Sequence, residues 1–329
     1  MRGGGLGLRS PLDLRLPCLP SSLTSAREQV KGLLTDEAFG EYESLLATIE
    51  DLFPQSKDPD FETSRQKNVD AVLWEQRFQD LLAECRSPTE RTCMLAARQP
   101  LGYLWMAAIP NPNLGTCVDD VTASMAVGLR LHLPVCLPHV CARCKQDVAS
   151  DGQHGLHCAF SRGRWYRHTV LNREISASLA KVGMPTLREP SGTHLDPFTR
   201  PDGISLVPWR GGKYLAWDVT VASTVAPSYV KDTSLRVGAA ATRLEDQKRR
   251  KYKDMLQQYI FIPLGLETLG SLGPAANNFL SDLERMMRTL KLDVREFDWL
   301  RQRLSLTLVR SNAMSVLGTM SLDGDVVLV

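Results

Sequence analysis

Two aspartates and a lysine are the residues of this chain best suited to chemistry. Asp202 stands in Arg200-Pro201-Asp202-Gly203, and Asp218 in Trp217-Asp218-Val219-Thr220-Val221. A carboxylate in so apolar a run is costly unless something binds it. Lys248 follows Leu244 by four residues and precedes Tyr252 by four, so it falls in the apolar stripe of a helix and not on its solvated face. Two acids able to share a hard cation, with a lysine beside them, can hydrolyse a phosphodiester. The candidate catalytic residues are therefore Asp202, Asp218, Lys248 and Tyr252, with Lys251 as the alternative lysine. Mg2+ or Mn2+ is the ion expected at Asp202 and Asp218. The plainer alternative is one capping aspartate and one buried aspartate held by an arginine.

A second constellation is Cys141-Ala-Arg-Cys144 followed by His154-Gly-Leu-His157-Cys158. Two thiolates two residues apart grip one edge of a Zn2+, and a His and a Cys one turn apart complete a tetrahedron. The expected ligands are Cys141, Cys144, His154 and Cys158, with His157 the alternative to His154 and Cys136 a structural spare. The remaining cysteines are scattered, which favours reduced thiols and a metal over a disulfide framework.

The acids must be positioned by a β-hairpin, two strands flanking Arg210-Gly211-Gly212-Lys213. With a two-residue turn Asp202 faces Val221, and the acids point to opposite sides of the sheet. If Arg210 joins the loop or Pro208 forces a bulge, Asp202 faces Thr220 and the acids share a face on a diagonal of about 7–8 Å.

The 329 residues suffice for two or more compact units, and 43% hydrophobic and 23% charged residues are those of a globular protein. A net charge of +2 is too small to argue for nucleic acid, so local clusters carry that reading. Arg164, Arg167 and His168 form one such cluster, and Arg249, Arg250 and Lys251 another. No apolar run is long enough to cross a membrane, and none has the form of a secretory signal.

In chain order, residues 1–25 are Gly-, Leu- and Pro-rich, without the strand or Gly-Lys-Ser/Thr of a phosphate loop. Helical periodicity covers about 30–53, then 68–84, 88–98 and 116–130, with 54–67 a linker. Asp119-Asp120 resembles a paired polymerase site but reads as a helix cap. Further helices are expected at 167–182, 235–258, 274–290 and 294–311, strands at 185–189 and 259–264, and a frayed last ten residues. The fold class is α/β, of the α+β kind: helical at 68–138, a zinc knuckle at 139–160, an αβββαβ core at 161–270 and C-terminal helices at 271–329.

The runs at 200–203, 217–221 and 248–252 resemble the restriction-like PD-(D/E)xK endonuclease of site-specific non-LTR retrotransposons. In that family the nuclease follows a Cys-Cys-His-Cys knuckle at the C-terminal end of a reverse transcriptase. The knuckle here, and Ser161-Arg-Gly-Arg-Trp-Tyr-Arg-His168 after it, keep that order, and Gly4-Gly5-Leu6-Gly7-Leu8-Arg9 resembles a segment after the polymerase palm, so that 1–53 matches that region. Thr220 departs from the lysine common in the wider superfamily, which moves the catalytic lysine to the helix. The resemblance implies a restriction-endonuclease-like core that nicks target DNA in the nucleus, with element RNA a further possible partner. No polymerase palm is expected in this chain. The competing reading is a catalytically inactive, transposon-derived nucleic-acid-binding protein, and a third is a zinc-stabilised protein-interaction domain.

Overall fold

A computed structural model describes residues 4–8, 11–51, 66–190, 200–253 and 259–321. Most of the expected linker, the end of the helix expected at 235–258 and the last eight residues lie outside the described set. The chain forms two compact units, one of Gly5–Cys85 and one of Arg86–Val329 with Met1–Gly4. The boundary therefore falls after the helix at 68–84, which belongs with the N-terminal segment and not with the helices that follow it.

Among the described residues the smaller unit contains three helices, α1 (Pro11–Lys31), α2 (Asp36–Asp51) and α3 (Gln66–Glu84). Helix α1 occupies the stretch that composition reads as a Gly-, Leu- and Pro-rich segment, and it carries Pro17 and Pro20 inside. Ile49 and Val69 form its small buried core, with Leu23 and Leu73 packed against them.

The larger unit is α+β. Its elements are α4 (Pro88–Ala97), α5 (Pro100–Tyr103), α6 (Asp120–Leu131), β1 (His139–Val140), β2 (Asp147–Val148), α7 (His154–His157), α8 (Arg162–Lys181), β3 (Thr186–Arg188), β4 (Gly203–Arg210), β5 (Lys213–Ala222), α9 (Val230–Thr233), α10 (Ala239–Lys251), β6 (Tyr259–Glu267), α11 (Pro274–Thr289) and α12 (Glu296–Leu317). Asp119 caps α6 by accepting the Thr122 N–H at 2.9 Å, as expected. Strands order as β3-β4-β5-β6, antiparallel except for the parallel β5–β6 pair. Leu215, Trp217 and Val219 of β5 face the main core with Leu171, Ile175 and Leu179 of α8, Phe279 and Leu283 of α11, and Leu300 and Leu304 of α12. Ala216 faces the other way, toward Tyr252 and Phe261. Alternation along β5 thus sends Asp218 to the side of α10.

Helix α12, expected to be amphipathic, is instead buried on most sides, and its end carries Ala313 and Val316 into a second core with Cys141, Val148 and Cys158. The knuckle is therefore part of the larger unit's packing and not a separate bead. The buried polar residues of α12 are satisfied locally or across the packing: Ser305 donates to the Leu101 carbonyl, and the Asn312 amide to the Thr268 carbonyl at 2.7 Å.

Two buried glutamates set the position of α10 and α11. Glu267, at the end of β6, accepts the N–H groups of Ala240 and Ala241, which fixes the start of α10. Glu245, within α10, accepts those of Gly265, Ala275 and Ala276, which fixes the start of α11. Gly273 leaves room for this, since a Cβ there would lie 2.2 Å from Glu245 Oε1. Burial holds Glu245 above the ordinary 4.5 despite those three donors. The folded state thus keeps the Glu245 proton more tightly than the unfolded chain. The group's contribution is complete below about pH 4 and is lost as pH rises through its raised folded value. Glu245→Ala, which leaves three N–H groups without their acceptor, is predicted to cost about 3 kcal/mol in urea unfolding. Glu245→Gln is predicted to cost less, and to gain on the native chain as pH rises from about 4 to 7; a gap that is flat across that range contradicts the assignment.

Candidate active site and metal centre

The hairpin register brings the acids together by a larger shift than either expected one. Gly211 and Gly212, both at positive φ, form the two-residue turn, so Arg210 pairs with Lys213. Beyond it Pro208 pairs with Tyr214 and Ile204 with Ala216, so six steps along β4 match three along β5. Ser205 sits within the irregular stretch, where its hydroxyl takes the Leu215 N–H at 2.9 Å in place of a ladder carbonyl. A shift of three moves Asp202 from Val221 to Asp218, and an odd shift exchanges faces. Asp202 is then bonded to both neighbours of Asp218: its N–H donates to the Trp217 carbonyl at 2.9 Å, and its Oδ2 accepts the Val219 N–H at 2.7 Å.

Helix α8 supplies the other partners of Asp202. Asn172 Nδ2 and His168 Nε2 each lie 3.0 Å from Asp202 Oδ2. Asn172 Oδ1 in turn accepts the Trp217 indole N–H at 2.9 Å. Trp217 lies over Gly203, where a Cβ would meet its ring at 2.1 Å, so only glycine fits after Asp202. Burial works to raise Asp202, but the His168 hydrogen bond and charge, the Val219 N–H and Asn172 outweigh it and hold the carboxyl below its usual value. His168 is raised in return, chiefly by its bond to Asp202.

Asp218 is 3% exposed. Burial first, then the charge of Asp202, push its pKa up, against the opposing pull of Lys248 and Tyr252. Lys248 Nζ is 2.7 Å from Oδ1, and the Tyr252 hydroxyl donates to Oδ2 at 2.7 Å. Oδ1 is thus a buried carboxylate oxygen paired with the Lys248 ammonium. Two carboxylates from neighbouring strands are a donor set that can hold a hard divalent cation.

Of the two candidate lysines, Lys248 reaches Asp218, while Lys251 is exposed and lies over the Tyr252 ring at 5.1 Å. Tyr252 is buried, its hydroxyl also lies 2.8 Å from the Arg200 carbonyl, and burial and the nearby acids raise its pKa well above the usual phenol value. It donates to Asp218 Oδ2 and holds that carboxylate in place. The expected role of Arg167 is corrected. It is 3% exposed and donates to Asn312 Oδ1 at 3.1 Å, binding α8 to α12 and not reaching a surface phosphate. Its spacing gave the signal, since Arg167, Leu171 and Ile175 recur every four residues on the buried stripe. Arg164, Arg249 and Arg250 are exposed, and His168 is half-buried against Asp202. Asn172 and Trp217 were not singled out as site residues, because their link to Asp202 spans distant parts of the chain.

The second site is the group Cys141, Cys144, His154 and Cys158, whose ligand atoms all lie within 4.8 Å of one another. His154 Nε2 is 3.1 Å from Cys144 Sγ, whereas His157 stands outside the group with its Nδ1 buried and unpartnered. Cys136 packs in the adjoining core with its thiol near the Ala149 and Ser150 carbonyls. The tight turn after Cys141 returns the Lys145 N–H to the Cys141 carbonyl at 3.0 Å, bringing Cys144 under Cys141. Burial lowers His154, which keeps it a neutral ligand, and pushes Cys158 up to about 11, so that without a cation the cluster would hold a proton there. The donor set and spacing can hold a metal such as zinc.

The chain matches no protein-family model, and no curated protein is significantly similar to it. No described helix is long and apolar enough to cross a membrane.

Two outcomes follow. One zinc per chain is expected by elemental analysis, absent from Cys141→Ser, and its removal by chelation lowers the thermal midpoint by at least ~5 °C, because the ligands Cys141 and Cys158 belong to the second core. Asn172→Ala, which strips one donor from Asp202 and the acceptor from Trp217, is predicted to weaken Mn2+ affinity about tenfold by calorimetry. An unchanged affinity would separate Asn172 from the site.

Proposed function

We propose that the larger unit is a metal-dependent DNA endonuclease of the restriction-like kind. The observation that carries this reading is that Asp202, just before β4, is bonded to the backbone on both sides of Asp218 in β5, whose Oδ1 lies 2.7 Å from Lys248 of α10. The run α8, β3, β4, β5, α9, α10, β6, in which the four-residue α9 stands between β5 and α10, supports the reading by its likeness to the αβββαβ order of that core. Asp202 and Asp218 are the residues that would hold Mg2+ or Mn2+. When bound, the cation supplies positive charge to the scissile phosphate and acidifies a water.

The chain's own residues do the rest. Tyr252 donates to Asp218 Oδ2 and fixes that oxygen, while Oδ1 faces the Lys248 ammonium. Asn172, His168 and the Val219 N–H do the same for Asp202. Lys248 places an ammonium where negative charge grows on the attacked phosphate. Arg164, Arg249, Arg250 and Lys251, all exposed, are placed to hold DNA phosphates without reading sequence. The knuckle immediately precedes α8 in the chain and adds a nucleic-acid contact. Target DNA is the substrate, nicking its outcome and the nucleus its place of action, as in the retrotransposon family that the motifs resemble; no polymerase palm takes part.

The test is nicking of supercoiled plasmid with Mg2+. Asp218→Ala and Lys248→Ala are each expected to reduce the rate at least about 100-fold, while Lys251→Ala stays within about threefold. Nicking that survives both of the first two changes overturns the proposal. Binding that falls with salt but never leads to nicking in the native chain favours the inactive binding protein.

A further inference from the structure

Beside Asp202 lies a cleft of about 330 Å3, near the lower limit for a site that encloses a small molecule. It has room for one base and none for a duplex. Trp165, on the second turn of α8, lines it with 76% of its surface exposed. Single exposed apolar side chains are common, but this one is the wall of a cleft that contains an acid of the proposed site. The remaining lining includes His168, Thr169, Arg188, Glu189 and Asp202.

That lining selects its occupant. The two carboxylates of the lining are already met by cations, Glu189 by Arg200 at 2.9 Å and Asp202 by His168 at 3.0 Å, so the cleft suits a neutral group. A neutral base needs no counter-charge there. Its face can stack on an indole, and its edge can use donors such as Thr169 and Arg188 as well as the carboxylate acceptors. We infer that the cleft takes one unpaired nucleobase of the strand being cut, stacked on Trp165 next to the phosphate that the acids act on. This rests on the endonuclease reading and names its substrate more closely: a strand with a base out of the stack at the cut.

The test uses the zinc-loaded full chain without added Mg2+. It is titrated with a single-stranded oligonucleotide carrying 2-aminopurine and with a paired duplex of the same sequence. Stacking quenches the probe, and Trp165→Ala lowers single-strand affinity about tenfold, Trp165→Phe about twofold, and neither changes duplex affinity. Equal losses on both ligands, or no loss on either, overturn the inference, and no loss is also the result if the cleft takes a peptide side chain. Plasmid nicking is measured in parallel. Unchanged single-strand affinity in a Trp165→Ala chain that still nicks removes the base site and leaves the hydrolase. A tenfold loss in a chain whose native form never nicks keeps the base site and removes the hydrolase.

Discussion

A carboxylate buried in the middle of an apolar strand has to be balanced where it stands. Asp218 sits between Trp217 and Val219, both in the main core, and its charge is met by Lys248 on one oxygen and the Tyr252 hydroxyl on the other. Breaking such a pair by removing one partner leaves a buried charge uncompensated, at about 3–5 kcal/mol. An apolar residue in place of all three would be the simpler core. Burial first, and then the charge of Asp202, hold Asp218 above its ordinary pKa, which raises the demand on Lys248 and Tyr252 further.

The surrounding structure keeps that balance in register. Glu267 anchors the start of α10, and Lys248 and Tyr252 follow two and more turns later on the face toward β5. Trp217 turns its indole to the far side of the sheet, where Asn172 passes the constraint to Asp202. Both acids are thus positioned from α8 and α10, on opposite faces of the sheet, and neither depends on a mobile side chain of its own. Two carboxylates whose surroundings push their pKa values apart, Asp202 down and Asp218 up, are what acid and metal chemistry at one site requires.

Periodicity and spacing carried much of this. The hairpin, the basic helix, the cap at Asp119 and the thiol cluster are local signals, and Lys248 stood out because it broke an apolar stripe. The same test applied to Arg167 and to Glu245, which follows Ala241 by four residues, marks both as buried; grouping Arg167 by its charge, with Arg164 and His168, hid it there. The three-residue register shift was beyond local rules, since it depends on Ser205 replacing a ladder acceptor and on Asp202 finding the Val219 N–H. Asn172 was silent for a similar reason: a polar residue on an amphipathic helix is ordinary until Trp217 and Asp202 fold against it. Helix α1 ran against its two prolines, and α12, buried nearly all round, lost the one-sided pattern that marks a surface helix.

The central claim is that Asp202 and Asp218 share one divalent cation. Iron-directed cleavage tests it most directly: Fe2+ is loaded in place of Mg2+, ascorbate and peroxide are added, and the fragments are identified by mass. The account predicts backbone cuts next to Asp202 and Asp218 together, suppressed by excess Mg2+. Cuts at only one of the two, or at neither while the zinc knuckle stays loaded, would contradict it.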